Sequence, residues 1–242
     1  MLTEDELHTG QKIWWFKKEY LSEFVYGGID GAITTFAVVS GAAGANAEIF
    51  YILLFGFANL IADGFSMSVG NFFAVKAERQ QYEQHKAIEY WEVENLREKE
   101  VQEIREIYAK KGFEGELLEK VVEVITADKD IWVDTMMKEE LEMTKDDKTP
   151  IKTAFATFVS FNLIGIIPLL AYIISVLADL PQDNLFIISC FATGLALMLI
   201  GFMKSKITEK PWISGIAETV ALGGLAALLA YYAGEVLANW FL

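Results

Sequence analysis

The 242-residue chain is 53% hydrophobic, with a mean hydropathy of +0.31, yet it carries a formal charge of −14. So acidic a balance excludes nucleic acid as a partner. One cysteine, Cys190, excludes an internal disulfide and a thiolate metal cluster, and two histidines, His8 and His85, argue against a His/Cys zinc site.

The charge is segregated. Residues 76–149 hold 13 of the 20 Lys/Arg and 21 of the 34 Asp/Glu, a balance of −8, and long apolar runs flank them. The pattern predicts an all-α polytopic membrane protein in four parts. These are an amphipathic lead-in over 1–22, two transmembrane helices over 23–75, an acidic helical domain over 76–149, and three further transmembrane helices over 150–242.

The lead-in, "MLTEDELHTGQKIWWFKKEY", has no apolar core of the kind a cleavable signal requires. Its Trp14, Trp15 and Tyr20 suit a membrane interface. Five runs are then long enough to cross a bilayer, which takes roughly 20 apolar residues: Phe24–Ala45, Ile49–Val75, Ala154–Ala178, Leu185–Met203 and Trp212–Leu237. Lys12, Lys17 and Lys18 precede the first, and Lys204, Lys206 and Lys210 join the fourth to the fifth. The loops "AAGANAE" and "ADLPQDN" lack Lys and Arg. Short basic loops stay cytoplasmic, so the N-terminus and the insert are expected in the cytosol and the C-terminus outside or in a lumen. A prokaryotic plasma membrane or a vacuolar-type membrane suits that arrangement equally.

The first span, "GGIDGAITTFAVVSG", places Asp30 inside a run of small and apolar residues. An ionised Asp at the centre of a membrane helix costs about 2.5–3.5 kcal/mol. Backbone amides around Gly27, Gly28 and Gly31, a contact between helices, a proton or a bound cation are the available compensations. Polar contacts between membrane helices average only ~0.6 kcal/mol, too little for an ionised carboxylate. A carboxyl that alternates between a proton and a metal would couple the movements of both. The second span, "FANLIADGFSMSVGNFF", repeats a polar residue every four positions: Asn59, Asp63, Met67 and Asn71 form one helical stripe. An amide, a carboxylate and a thioether on one face are not built for lipid.

Helical periodicity continues from the second span to about Tyr108, then over Gly115–Thr126 and Asp130–Met143. Breaks fall at "KKGFEG", "TADKD" and "TKDDKTP", and Asp128 is placed to cap the last helix. If the first of these helices is unbroken, Glu89, Glu92, Glu100 and Glu103 share an arc of about 80°. Two readings fit that arc: a solvated face laced with ion pairs, or an oxygen-ligand set for a divalent cation. "WVDTMMKEELEM" then sets Met136 and Met137 three to four residues before Glu140. Thioethers beside a carboxylate suit Fe²⁺ or a neighbouring transition ion, whereas two core-filling methionines are the alternative. Glu218 in the fifth span and Asn162 in the third are further buried candidates. Pro168 and the pairs Gly27–Gly28 and Gly223–Gly224 read as kinks and close packing rather than chemistry.

Taken together, "GGIDGAITTFAVVSGAAGA", "ADGFSMSVGNFFAVKAE" and "WVDTMMKEELEM" around an acidic helix resemble the vacuolar iron transporter family, from about Tyr20 to Gly234. The resemblance implies a homodimer that moves Fe²⁺ out of the cytosol in exchange for protons, through a passage between subunits. It implies Asp30 and Met67 as the membrane waypoint. It also implies Glu89, Glu92, Glu100 and Glu103, with Met136, Met137 and Glu140, as the metal set of the insert. Fe²⁺, with Mn²⁺ or Zn²⁺ as companions, would be cargo, and no prosthetic group is expected. Where plant members carry a glutamate early in the second span, this chain has Asn59, and a carboxylate stands one turn further on as Asp63. Two rivals remain: a sensor or buffer merely anchored by its spans, and a di-iron oxidase. The latter needs Glu-x-x-His pairs, and His85 is preceded at that spacing by Tyr82.

Overall fold

The computed structural model describes residues 20–179, 181 and 184–241; Trp14, Trp15 and most of the lead-in lie outside them. Every regular element among the described residues is helical. In chain order these are α1 Leu21–Gly44, α2 Ile49–Asn95, α3 Arg97–Lys110, α4 Gly115–Ala127, α5 Lys129–Glu139, α6 Pro150–Gly165, a 3₁₀ turn Ile167–Leu169, α7 Leu170–Leu177, α8 Leu185–Thr208 and α9 Trp212–Phe241. Five stretches are long and apolar enough to cross a bilayer: α1, α2, α6 with α7, α8, and α9. The chain forms two compact units, one from residues up to Phe73 and from Lys148 on, the other from Ala74–Asp147.

In the first unit α1 packs against α6, α8 and α9. Its small residues explain why it can. A Cβ on Gly31 would collide with the Phe161 carbonyl of α6, and one on Gly44 with the Tyr231 carbonyl of α9, so these backbones touch directly. Several hydroxyls inside the bundle bond to helix carbonyls. Thr157 Oγ1 donates to Thr153 O at 3.0 Å, and Thr219 Oγ1 crosses from α9 to Leu197 O on α8 at 3.0 Å. With no water available in hydrocarbon, such bonds make a polar side chain tolerable there. Pro168 interrupts the third span as its missing N–H requires, and Ser189 Oγ donates to its carbonyl at 2.6 Å. Outward faces carry large apolar side chains such as Phe191, Leu199 and Leu229, the surface a bilayer demands.

Tyr20, expected at the membrane interface, is held by the bundle. It is buried, and its hydroxyl accepts from Thr149 N at 3.1 Å. Thr149 precedes α6, whose first N–H groups lack helical partners, so an acceptor there is favoured.

The second unit has its own apolar core, in which Val93, Ile104, Val122, Ile125, Trp132 and Val133 are buried with Met136 and Met137. Asp128 caps α5 by accepting from Asp130 N at 2.9 Å and Ile131 N at 3.1 Å. Two boundaries differ from the periodicity. The helix expected to reach Tyr108 is interrupted at Leu96, and the last helix stops at Glu139 rather than Met143. At Glu142 the backbone takes φ 53°, left-handed and incompatible with a continued helix.

Candidate functional site

The interruption at Leu96 creates the most distinctive chemistry in the chain. Leu96 has φ −122° and ψ 31°, yet Leu96 N still donates to Glu92 O at 2.7 Å and Glu100 N to Leu96 O at 3.1 Å. It is a sharp kink with its flanking bonds intact. Glu89 and Glu100 are eleven residues apart, about 16 Å along a straight helix. In the structure, carboxylate oxygens of Glu89, Glu92 and Glu100 all lie within 4.8 Å of one another. A shared arc on an unbroken helix could not bring them so close, so the expectation of a continuous face is corrected to convergence across a bend.

Glu89 and Glu100 are 3% and 1% exposed, and Glu89 Oε2 and both Glu100 oxygens accept no hydrogen bond. Burial first, and then neighbouring carboxylates, push each of these groups up to about 7 from an ordinary value of 4.5. For Glu89 the strongest charged neighbour is Glu140; for Glu100 it is Glu103. Glu140, at the end of α5, is also raised, by burial and then by Glu103 and Glu92. All five predicted glutamates are thus electrostatically one cluster. The cation in it is Lys99, 2.9 Å from Glu103 and 3.7 Å from Glu100, which sequence reasoning passed over. Its i,i+4 spacing to Glu103 was the available signal. Glu94, on the other side of the helix, pairs with Lys129.

A solvated acidic face does not bury unpartnered oxygens. Three converging carboxylates, with Glu103 and Glu140 acting on them and one ammonium beside them, form a hard-oxygen set suited to a divalent cation. Met136 and Met137, 0% and 1% exposed, pack in the apolar core. Tyr90 hydroxyl to Asp130 at 2.6 Å and Lys86 to Asp134 at 2.6 Å tie α2 to α5, which carries Glu140 at its end.

The buried charges have a consequence for stability without metal. In the folded insert Glu89 and Glu100 hold protons up to about pH 7, whereas unfolded they release them near 4.5. Between those values the folded chain binds more protons, so stability falls as pH rises through the window and levels off above it. One such shift is worth on the order of 3 kcal/mol, and two coupled groups less than twice that. Urea unfolding of the 74–147 segment under chelation is expected to show a higher midpoint at pH 5 than at pH 8. Equal midpoints would mean that the two carboxyls are not desolvated.

In the membrane unit Asp30 is half-buried on α1. Its carboxylate makes no hydrogen bond or ion pair among the described residues, so the glycine amides do not compensate it. The charge that acts on it is Asp63 of α2. The polar stripe of α2 divides into roles. Asn59 Nδ2 donates to Thr34 Oγ1 at 3.4 Å and Thr35 Oγ1 at 3.3 Å, and Asn71 Nδ2 to Thr157 Oγ1 at 2.8 Å. Met67 packs against the cluster of Val39, Leu60 and Phe161, whereas Asp63 is exposed. Asn59 is therefore engaged in joining helices.

Glu218, expected to be buried, is not. Its side chain is 51% exposed and pairs with Lys204 at 2.9 Å, so a protein cation compensates it without any bound ion. Asn162 donates to Phe158 O of its own helix at 2.8 Å.

Residues 21–235 match the model of the VIT family. A protein named vacuolar iron transporter in Toxoplasma gondii is 34% identical over 225 residues, covering 90% of this chain and 74% of that protein. One of the same name in Plasmodium falciparum is 32% identical, covering 92% of this chain and 84% of its own. Vacuolar iron transporter 1 of Arabidopsis thaliana is 30% identical, covering 90% and 86%.

Proposed function

The chain belongs to the VIT family, and on that premise we propose that it exports Fe²⁺, and Mn²⁺ alongside it, from the cytosol in exchange for protons. The observation that carries the reading is the buried, unbonded oxygens of Glu89 and Glu100 within reach of Glu92. A charged pair so placed is costly unless a cation or a proton occupies it. Both exchange partners are therefore accounted for by the same groups.

In this reading the insert lies on the cytosolic side and captures metal on Glu89, Glu92, Glu100, Glu103 and Glu140. Met136 and Met137, within one turn of Glu140 though packed in the apolar core, would be the soft donors that favour Fe²⁺ over harder ions. Asp30, Met67 and Asp63 form the waypoint in the membrane, and protons entering from the opposite side release the ion. Asp63 supports a homodimer with the passage between subunits. It is exposed on a spanning helix beside Ile61 and Phe65, and a second copy would shield it from hydrocarbon. No covalent bond is made or broken, so the protein acts as a carrier rather than an enzyme.

Reconstituted vesicles test the exchange. Fe²⁺ flux is expected to rise severalfold when the compartment receiving the metal is the more acidic, and to collapse on addition of a protonophore. Flux that ignores the pH gradient would overturn proton coupling. The same assay across Fe²⁺, Mn²⁺, Zn²⁺ and Ca²⁺ ranks the cargo. The compact insert with its own core also fits a metal buffer, and the Asp30 substitution below separates the two readings.

A further inference from the structure

The ends of α8 and α9 joined by the "KSKITEKPW" loop hold a second arrangement that plays no part in the metal path. Here the two helices touch through small residues. A Cβ on Gly201 would strike the Gly215 carbonyl, and Ser205 Oγ donates to Gly201 O at 3.0 Å. Beside that seam the side chains are large and diverge, leaving an outward-opening cleft of about 430 Å³. Met198, Leu199 and Phe202 of α8 and Trp212 and Ile216 of α9 line it, and all are apolar. The glycine seam holds the backbones in contact, so these larger residues cannot close the wedge between them.

The cleft is capped by charge. Lys206 Nζ lies 5.6 Å from the centroid of the Phe202 ring, placing an ammonium directly over one cleft wall. Lys210 follows on the exposed loop, one residue before Pro211 and two before Trp212. Lys204 pairs with Glu218, whose carboxylate also feels the charge of Lys210, while no carboxylate pairs with Lys206 among the described residues. In a chain of net charge −14, an unpaired Lys206 over an apolar slot at a helix end, with Lys210 on the adjoining loop, is a selective feature. The Trp212 indole, exposed at the start of α9, marks the level at which headgroups lie.

We propose that this cleft binds an anionic glycerophospholipid of the bilayer, one acyl chain lying between α8 and α9 and the headgroup phosphate held by Lys206 and Lys210. Charge complementarity selects the anionic class, and the wholly apolar lining selects a lipid over a free phosphate. The seam beneath it is the α8–α9 contact itself, so an occupied cleft braces that helix pair.

Native mass spectrometry of the full chain in detergent, with phosphatidylglycerol or phosphatidylcholine added at equal concentration, tests this. Each lysine near a headgroup contributes roughly fivefold in affinity, so phosphatidylglycerol is expected to be retained at least fivefold more than phosphatidylcholine. K206Q/K210Q is expected to abolish the preference, and Ile216→Phe, which fills the slot, to lower retention of both lipids while the lysines remain. Equal retention of the two lipids by the unaltered chain would overturn the proposal, as would a preference that survives K206Q/K210Q. So would competition by glycerol phosphate as effective as by the lipid, which would make the site one for free phosphate.

Discussion

Asp30→Asn is expected to reduce metal flux by about 100-fold or more while the insert still loads metal. Removing even an outer partner of a metal ligand costs 10–100-fold, so loss of a direct ligand belongs at or above the upper end. The substitution is nearly isosteric and removes a charge that has no hydrogen bond or ion pair among the described residues. Folding should therefore be unharmed, and thermal stability equal or slightly raised. Flux in vesicles and metal binding in detergent, measured on the same preparation, check both halves. Flux that persists would return Asp30 to a tolerated, protonated bystander, and the anchored buffer would become the better description. Asn59→Ala is the contrasting case. It breaks the bonds to Thr34 and Thr35, and so should act through helix packing rather than through the ion.

The double substitution E89Q/E100Q is expected to have opposite effects on binding and stability. Two of the three converging carboxylates are lost, so Fe²⁺ affinity of the insert should fall about 100-fold or more, by the same reasoning from ligand environments. Amides of the same shape carry no charge to desolvate, so the metal-free insert should unfold at higher denaturant than the unaltered one at pH 8. At pH 5, where the carboxyls are already protonated in the folded insert, that advantage should shrink. Isothermal titration with Fe²⁺ under anaerobic conditions and urea melts at both pH values make the comparison. Solvated surface glutamates would alter neither quantity, and an insert that is weakened by the change in the absence of metal would mean that these groups serve packing. The opposed signs express a general trade: a site kept ready for a cation stores unfavourable charge in the empty state.

The architecture was legible in the order of residues. Five apolar runs, a segregated acidic insert and the Asp128 cap follow from hydrophobicity and local bonding, which are properties of neighbouring residues. That order also marked out the glutamates that form one cluster, and Asp30 as a charge out of place. Tertiary structure alone decided how they meet. Periodicity reports which residues share a face of a regular helix, and it would have left Glu89 and Glu100 about 16 Å apart. The kink at Leu96 brings them together, and nothing in "VENLREKE" contains the glycine or proline that would announce it. Likewise Lys204, fourteen residues from Glu218, is joined to it only by the packing of α8 on α9. Met136 and Met137 entered the core because Trp132, Ile104 and Val122 converge there from three helices. Local pattern is set by chain neighbours, whereas a bend, a partner across a bundle and the burial of a charge depend on contacts between distant segments.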